Sequence, residues 1–201
     1  MIRVHRIPFS TNVERVALAA GHKGVAVDWI DHADADRSAV EAISGQPLVP
    51  VAEFDGDVVR GSMRIVERLE AEHPEPALYP RDPADAASSE IFISWFDRVW
   101  KGPPNALDVA EPPPDASQLA ARAVAWTGWI ADLLGDGRPF LGGDALGAAD
   151  ICAFPFLKYA VIDPDPADAE PFHRILADLL RRRLDPALAG WVARVDVLPR
   201  A

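Results

Sequence analysis

The sequence predicts an α+β domain followed by an all-α domain, and three observations support this division. Short runs in which apolar and polar residues alternate, as they do in strands, occur only before residue 73. Four prolines between residues 74 and 83 then interrupt regular structure and indicate a linker. Beyond residue 84 the apolar patterns have helical spacing. We therefore divide the chain into a first domain at 1–73, a linker at 74–83 and a second domain at 84–201.

Strands and helices alternate in the first half of the first domain. Residues 2–5 alternate between apolar and polar side chains, which predicts a strand with one buried face. A loop rich in small polar residues at 7–12 leads into a helix that starts near Val13 and stops at Gly21. The next predicted elements are a strand at 25–29 and a weak helix at 37–43.

The stretch from Gln46 to Glu70 predicts a β-hairpin followed by a helix. Asp55-Gly56 favours a type I′ turn between two short apolar runs. After Gly61, apolar residues recur at the spacing of one helix face. The resulting order of elements, βαβαββα, is that of a thioredoxin-like domain.

Two residues of this stretch suggest a role in binding a ligand in addition to a structural role. Pro50 stands at the head of a strand, where it has no N–H to donate, and its bond to Val49 is a candidate for the cis form. Ser62 lies where a helix begins, so its hydroxyl and the N–H groups of the first turn are suited to hold a carboxylate. The structural alternative is that Pro50 only opens an edge strand and Ser62 only caps the helix.

The second domain is predicted to be entirely helical. The pattern at 147–160 is apolar nearly all round, which predicts a buried helix. Cys152 lies in this helix, and we interpret it as a small core residue rather than a nucleophile. Residues 102–114 are predicted to form a loop. The predicted helices span 84–100, 118–134, 147–160, 170–184 and 187–195.

Composition argues against several classes of protein. The chain has 201 residues, 49% of them hydrophobic, which is enough to bury a core. A formal net charge of −11 disfavours nucleic acid and anionic membranes as partners. No apolar run approaches the roughly 18 residues of a membrane span, and no signal peptide is visible, so we expect a cytoplasmic protein. A single cysteine, histidines without metal-ligand spacing and the lack of a phosphate-binding motif predict no disulfide, no metal and no nucleotide.

Four segments are informative because of their combination and order. They are the loop-to-helix segment 10–16, the strand start 48–51, the helix start 61–65 and the segment 140–150 that enters the predicted buried helix. Together they resemble the corresponding segments of the cytosolic glutathione transferases, of a bacterial type with serine in the first loop. The resemblance covers the chain almost end to end. It implies the glutathione transferase fold, a thioredoxin-like N-terminal domain followed by an all-α C-terminal domain.

The resemblance implies that the protein activates the thiol of its co-substrate, glutathione, for attack on a small hydrophobic electrophile. Only the thiolate attacks, and a free thiol with a pKa of about 8.5 is mostly protonated at neutral pH. A hydroxyl that donates to the sulfur at the N-terminus of a helix lowers that pKa. Ser10 is the implied catalytic hydroxyl, and Thr11 and Asn12 are its alternates.

The resemblance also implies that glutathione lies along Val49, Pro50, Gly61 and Ser62. Most relatives carry an acidic residue or glutamine in place of Gly61, and its side chain holds the α-amino group of the γ-glutamyl moiety. Gly61 lacks that contact, and losing a charge-assisted hydrogen bond weakens binding by about 1.5–3 kcal/mol, or roughly ten- to a hundredfold. Two alternatives therefore stay open, a different low-molecular-weight thiol and a non-catalytic binding or assembly module of the same fold.

For the electrophile pocket, the resemblance implies Phe9, Trp95, Trp100 and Asn105. An apolar pocket with a few polar groups suits a hydrophobic electrophile. For the aromatic residues, packing between helices is an equally good interpretation. A homodimer is implied by the resemblance alone.

The segment 140–150 has a structural role. Relatives place Ser or Thr at the N-cap of the buried helix and Asp three residues later. The side chain of each of these two residues accepts a hydrogen bond from the backbone N–H of the other residue. Here Asp150 is present, but the cap is Gly147, which has no side chain, so only half of this arrangement is available. Because glycine at an N-cap costs only a few tenths of a kcal/mol, we expect the helix to form.

Overall fold

A computed structural model describes residues 2–109, 111 and 113–201. The chain divides into two compact units, one of Met1–Leu78 with Leu198–Ala201 and the other of Tyr79–Val197. The last residues join the first unit through Ala201, whose N–H donates to the Ala17 carbonyl at 3.0 Å. The functional domain bounds of 1–73, 74–83 and 84–201 stay a prediction.

The first unit is built on a four-stranded mixed sheet with the strand order β2-β1-β3-β4. The strands are β1 (Ile2–Arg6), β2 (Val27–Asp31), β3 (Val51–Phe54) and β4 (Asp57–Arg60). β1 runs parallel to β2 and antiparallel to β3, which pairs antiparallel with β4. The β3–β4 turn has positive φ at both Asp55 (49°) and Gly56 (101°), as a type I′ turn requires.

Three helices complete the first unit, α1 (Thr11–His22), α2 (Ser38–Ser44) and α3 (Ser62–Glu72). The order βαβαββα confirms the thioredoxin-like domain predicted from the sequence. α1 packs against α3, and apolar side chains from both helices are buried. The predicted second strand begins two residues later than expected because the Val25 N–H closes the end of α1 by donating to the Ala20 carbonyl at 2.9 Å.

The C-terminal end of α3 is held by Lys23, which follows α1. Its Nζ lies 2.6 Å from Glu70 Oε2 of α3 and donates to the carbonyl oxygens of His73 at 2.7 Å and Pro76 at 2.9 Å. The Lys23 side chain is fully buried, and these three acceptors lie around its ammonium group. This arrangement fixes α3 relative to α1, and thereby the two helix starts that carry Ser10 and Ser62.

In the described part of the second unit the regular elements are helices. They are α4 (Pro83–Trp95, continued by a π-helical turn at Phe96–Trp100), α5 (Gly102–Leu107), α6 (Ala116–Leu133), α7 (Ala148–Leu157), α8 (Pro171–Leu180) and α9 (Pro186–Asp196), with short 3₁₀ helices after α7 (Lys158–Ala160) and after α8 (Arg181–Arg183). The prediction of a loop over 102–114 was wrong for α5. Pro103 and Pro104 occupy the first turn of that helix, where the N–H that proline lacks has no intrahelical acceptor.

The helix predicted to be buried is α7, in which every side chain is buried, including Cys152. The Asp150 carboxylate accepts hydrogen bonds from the Gly147 N–H at 3.0 Å, the Leu141 N–H at 2.8 Å and Trp191 Nε1–H at 2.7 Å. The helix thus forms with half of the reciprocal cap, as expected, and Asp150 also ties it to the preceding loop and to α9.

Asp150 should make stability depend on pH. Burial raises the pKa of its carboxyl from 3.8 to about 6, although the N–H groups that donate to it act in the opposite direction. Because the folded state then holds the proton more tightly than the unfolded chain, the stability that Asp150 contributes is fully present below pH 4 and is lost as the pH rises through about 6. The loss amounts to at most about 3 kcal/mol. Urea unfolding of the wild-type protein and Asp150→Asn from pH 4 to 7 tests this, and a pH-independent difference between them would contradict it.

Candidate functional site

Ser10 is the N-cap of α1, in the loop that follows β1. Its backbone is extended (φ −60°, ψ 117°), and its hydroxyl oxygen accepts a hydrogen bond from the Val13 N–H at 3.4 Å. That bond uses a lone pair, so the hydroxyl proton stays available for donation to another acceptor. The preceding residue, Phe9, has an exposed side chain and a φ of 62°, in the left-handed region that non-glycine residues rarely occupy.

The start of β3 lies beside the start of α3. The Val49–Pro50 peptide bond is cis, which confirms the prediction for that bond. The Gly61 N–H donates to the Pro50 carbonyl oxygen at 3.4 Å, which joins the segment entering β3 to the segment entering α3. The four residues that the resemblance implied for glutathione, Val49, Pro50, Gly61 and Ser62, are therefore neighbours.

Gly61 is the N-cap residue of α3 and has φ 87° and ψ 129°. This backbone conformation is readily adopted only by glycine. A Cβ atom built at Gly61 would meet no atom within 4 Å, so the position has space for a side chain. Conformation rather than crowding therefore favours glycine here.

The Ser62 hydroxyl is held by a buried cation. Arg15 of α1 is 1% exposed, and its Nη1 donates to Ser62 Oγ at 3.2 Å and to Asn12 Oδ1 at 3.3 Å. Ser62 itself is buried at the first position of α3. One guanidinium therefore links the first turn of α1 to the first turn of α3. The α3 N-terminus gains a full positive charge in addition to the partial charge of its N–H groups.

Arg15 was not predicted from the sequence as a site residue. The available signal was its position on α1, three residues before Leu18 and four before Ala19, both of which are buried. An arginine on a helix face that is otherwise apolar requires polar partners inside the protein. Its pairing with Ser62, 47 residues away, was not visible in the sequence.

The two alternates to Ser10 have different surroundings. Thr11 is buried as the first residue of α1. The Asn12 side chain is half-buried, and its Oδ1 accepts the hydrogen bond from Arg15. Ser10 is half-buried and follows the exposed Phe9.

The residues expected for the electrophile pocket are distributed over both units, with Phe9 in the first and Trp95, Trp100 and Asn105 in the second. Trp100 is buried, stacks on Phe96 at a centroid distance of 4.5 Å, and donates from Nε1 to Thr127 Oγ1 at 3.2 Å. Trp95 instead faces α6, and Asn105 is exposed on α5. The role of these three side chains at an electrophile pocket stays a prediction.

Residues 2–109, 111 and 113–201 contain no group of three or more His, Cys, Asp or Glu side chains able to hold a metal ion. No helix in these ranges is long and apolar enough to cross a membrane.

Sequence comparison identifies two domain models. Residues 4–77 match the model of the glutathione S-transferase N-terminal domain, and residues 127–194 match that of the C-terminal domain. No curated protein sequence matches the chain significantly.

Solved structures similar to this chain include three glutathione S-transferases. A rice enzyme in complex with glutathione has a TM-score of 0.76 and 19% identity, covering 98% of this chain and 86% of its own. A theta class enzyme from Xanthomonas axonopodis pv. citri with glutathione bound has a TM-score of 0.68 and 23% identity, covering 95% and 96%. An enzyme from Rhodospirillum rubrum has a TM-score of 0.68 and 23% identity, covering 95% and 91%. At these identities the similarity shows the fold.

Proposed function

The chain belongs to the glutathione S-transferase family, and from this we propose that its first unit binds glutathione and activates the thiol for attack on a small hydrophobic electrophile. Family membership supports a glutathione-related transferase. The observation that carries the proposal is the buried guanidinium of Arg15, hydrogen-bonded to the Ser62 hydroxyl at the start of α3.

The start of α3 is suited to a carboxylate. The N–H groups of the first turn point out of the helix without intrahelical acceptors, and they carry the positive end of the helix dipole. Arg15 donates into a lone pair of Ser62 Oγ, so the Ser62 hydroxyl proton is directed toward another acceptor. The α-carboxylate of the γ-glutamyl moiety is such an acceptor, and both positive charges favour it.

The rest of the tripeptide is proposed to run from Ser62 toward Ser10. Backbone groups of Val49, next to the cis bond, pair with the peptide backbone of the ligand as an added strand pairs with a sheet edge. Ser10 then donates a hydrogen bond from its hydroxyl to the sulfur at the N-terminus of α1, which stabilises the thiolate while the thiol proton passes to solvent. The thiolate sulfur forms a bond to the electrophilic carbon, and the electron pair of the broken bond departs with the leaving group.

The burial of Thr11 supports Ser10 as the activating hydroxyl. Asn12 stays an alternate, because the bond from Arg15 engages its side-chain carbonyl oxygen and not its amide N–H groups. Ser10 is half-buried, and its capping hydrogen bond, in which its hydroxyl oxygen is the acceptor, does not use its hydroxyl proton. We further propose a cytoplasmic homodimer, as the resemblance implies.

One observation favours a second candidate function. Gly61 supplies no side chain for the α-amino group of a γ-glutamyl moiety, so the thiol need not be glutathione. A different low-molecular-weight thiol that carries a carboxylate would use Ser62 and Arg15 equally well. A non-catalytic module that keeps the fold only as a scaffold is less well supported, because it has no need for Ser10, Val49-Pro50 and Ser62 together.

Calorimetric titration of the purified protein with glutathione tests the proposal. We expect a dissociation constant between micromolar and low millimolar, and weakening by about tenfold in Ser62→Ala, since the variant removes one hydrogen bond to a charged group. Ser117→Ala, an exposed serine of α6 in the second unit, serves as the control and should bind as the wild type does.

The alternatives predict different outcomes. No heat with glutathione up to several millimolar would contradict the glutathione assignment, and a series of other thiols would then be titrated. Binding that Ser62→Ala leaves unchanged would place the ligand away from the start of α3.

A further inference from the structure

The segment Leu198–Ala201 belongs to the first unit and lies against one face of α1. In addition to the bond from its N–H to α1, Ala201 accepts a hydrogen bond from Trp29 Nε1–H of β2 at 3.2 Å. A Cβ atom built at Gly21 would lie 2.3 Å from the Pro199 carbonyl oxygen, so a side chain at this position would displace the segment. The segment is therefore held closely against α1 and β2.

Arg200 extends from this segment toward the N-terminus of α1. Its Cα lies 2.6 Å from where a Cβ atom of Gly21 would stand, and its Nη2 donates to Glu14 Oε1 at 3.4 Å. Glu14 precedes Gly21 by seven residues, which is about 10 Å along the helix. The guanidinium is therefore about two turns closer to Ser10 than the backbone of Arg200 is.

Glu14 stands one turn after Ser10 on the same face of α1. The Glu14 N–H donates to the Ser10 carbonyl oxygen at 3.0 Å, and side chains four residues apart on a helix are neighbours. Because the Cα–Cβ bonds of a helix tilt toward its N-terminus, the Glu14 side chain leans toward Ser10. The side chains of Arg200 and Glu14 are only 24% and 19% exposed, so salt and water screen their charges incompletely.

We propose that Arg200 is a positioning residue for thiol activation, because it neutralises the Glu14 carboxylate next to the place where the thiolate forms. This inference rests on the function proposed above for Ser10. A carboxylate in the first turn stabilises a helix, but it opposes a second negative charge at the same N-terminus. With Arg200 paired to Glu14, the N–H groups of α1 and the Ser10 hydroxyl stabilise the thiolate with little opposition.

The distance between Glu14 and the sulfur sets the expected size of the effect. The spacing of neighbouring helix side chains plus one hydrogen bond places a sulfur bound to Ser10 about 10 Å from the Glu14 carboxylate. At that distance and at physiological salt, an unpaired charge shifts the pKa of the thiol by roughly half a pH unit. This shift changes the thiolate fraction at pH 7 about threefold.

Four proteins test the proposal, namely the wild type, Arg200→Gln, Glu14→Gln and the double variant. Each is saturated with glutathione, and the ultraviolet absorbance of the bound thiolate is followed from about pH 5 to 10. Arg200→Gln should raise the midpoint by about half a pH unit, because Glu14 is then unpaired. Glu14→Gln should lower it by a similar amount, and the double variant should return to the wild-type value. A purely structural contact would instead move both single variants in the same direction.

Gly21→Ala tests the position of Arg200 without altering either charge. The added methyl group would collide with the Pro199 carbonyl and displace the segment, so the midpoint should rise as it does in Arg200→Gln. Gly128→Ala in α6 is the matched control, because a Cβ atom there meets nothing within 4 Å, and it should leave the midpoint unchanged. Circular dichroism melts establish that both variants are folded.

The outcomes separate this inference from the proposed function. A wild-type protein that binds no glutathione, or binds it with the midpoint of free glutathione, would overturn the proposed function and the role of Arg200 with it. A lowered midpoint that is the same in all four proteins would overturn the role of Arg200 alone. The shifts should also shrink severalfold in 1 M salt, where the Debye length is about 3 Å, and shifts that salt leaves unchanged would overturn the electrostatic account.

Discussion

A Gly61→Gln variant is expected to bind glutathione about ten- to a hundredfold more tightly than the wild-type protein. The glutamine amide oxygen supplies an acceptor for the α-amino group of the γ-glutamyl moiety, and a hydrogen bond to a charged group contributes about 1.5–3 kcal/mol. The position has space, since a Cβ atom there meets nothing within 4 Å. The neighbouring Ser62 and Arg15 are expected to hold the carboxylate of the same moiety, so the new side chain would complete an existing site.

The same variant should unfold more easily. Gly61 has a φ of 87°, and a residue with a side chain costs about 1–3 kcal/mol in such a conformation, which lowers the free energy of unfolding by that amount. Gly61→Ala carries this backbone cost without the amide, so it is the matched control. Urea unfolding and calorimetric titration of both variants separate the two effects. Equal glutathione affinity in Gly61→Gln and Gly61→Ala would contradict the proposed position of the γ-glutamyl group.

Most of the fold was predictable because its elements are encoded in local patterns. The hairpin at Asp55-Gly56 and the buried helix α7 both depend on residues that are adjacent in the sequence, through turn conformation and all-round hydrophobicity. The start of β2 was less predictable, because Val25 is drawn into the end of α1 by a hydrogen bond to Ala20. α5 was missed because Pro103 and Pro104, which usually interrupt helices, are compatible with a first turn.

The candidate site was predictable only in its local parts. Ser10, the Val49–Pro50 bond and Ser62 belong to short segments whose type and order the sequence displays. The contact of Arg15 with Ser62 joins two helices that are distant in the chain, and pairings of that kind depend on the packing of α1 against α3. Trp100, in contrast, was named for the electrophile pocket but is buried against Phe96 and Thr127. The sequence alone does not distinguish an aromatic side chain that lines a pocket from one that fills the core.

A Ser10→Ala variant is expected to lower kcat/KM for conjugation of glutathione to an activated aryl halide by roughly ten- to a hundredfold at pH 7. The Ser10 hydroxyl and the N-terminus of α1 together are proposed to lower the pKa of the bound thiol. Loss of the hydroxyl raises that pKa by about one to two pH units, and each unit reduces the thiolate fraction about tenfold. The loss in rate should shrink as the pH approaches 9, because the thiolate then forms without assistance. A pH profile of kcat/KM for both proteins measures it.

Two controls separate thiol activation from helix capping. Ser10→Ala also removes the acceptor of the Val13 N–H, which should lower the free energy of unfolding by about 1 kcal/mol at every pH. Ser10→Thr keeps both the cap and the donor, so it should restore the rate and the pH profile. Thr11→Val removes the neighbouring hydroxyl at nearly constant volume and should leave the rate unchanged. If the pH-dependent loss appears in Thr11→Val instead, Thr11 is the activating hydroxyl. If the loss in Ser10→Ala is equal at pH 7 and pH 9, Ser10 positions the ligand and does not ionise the thiol.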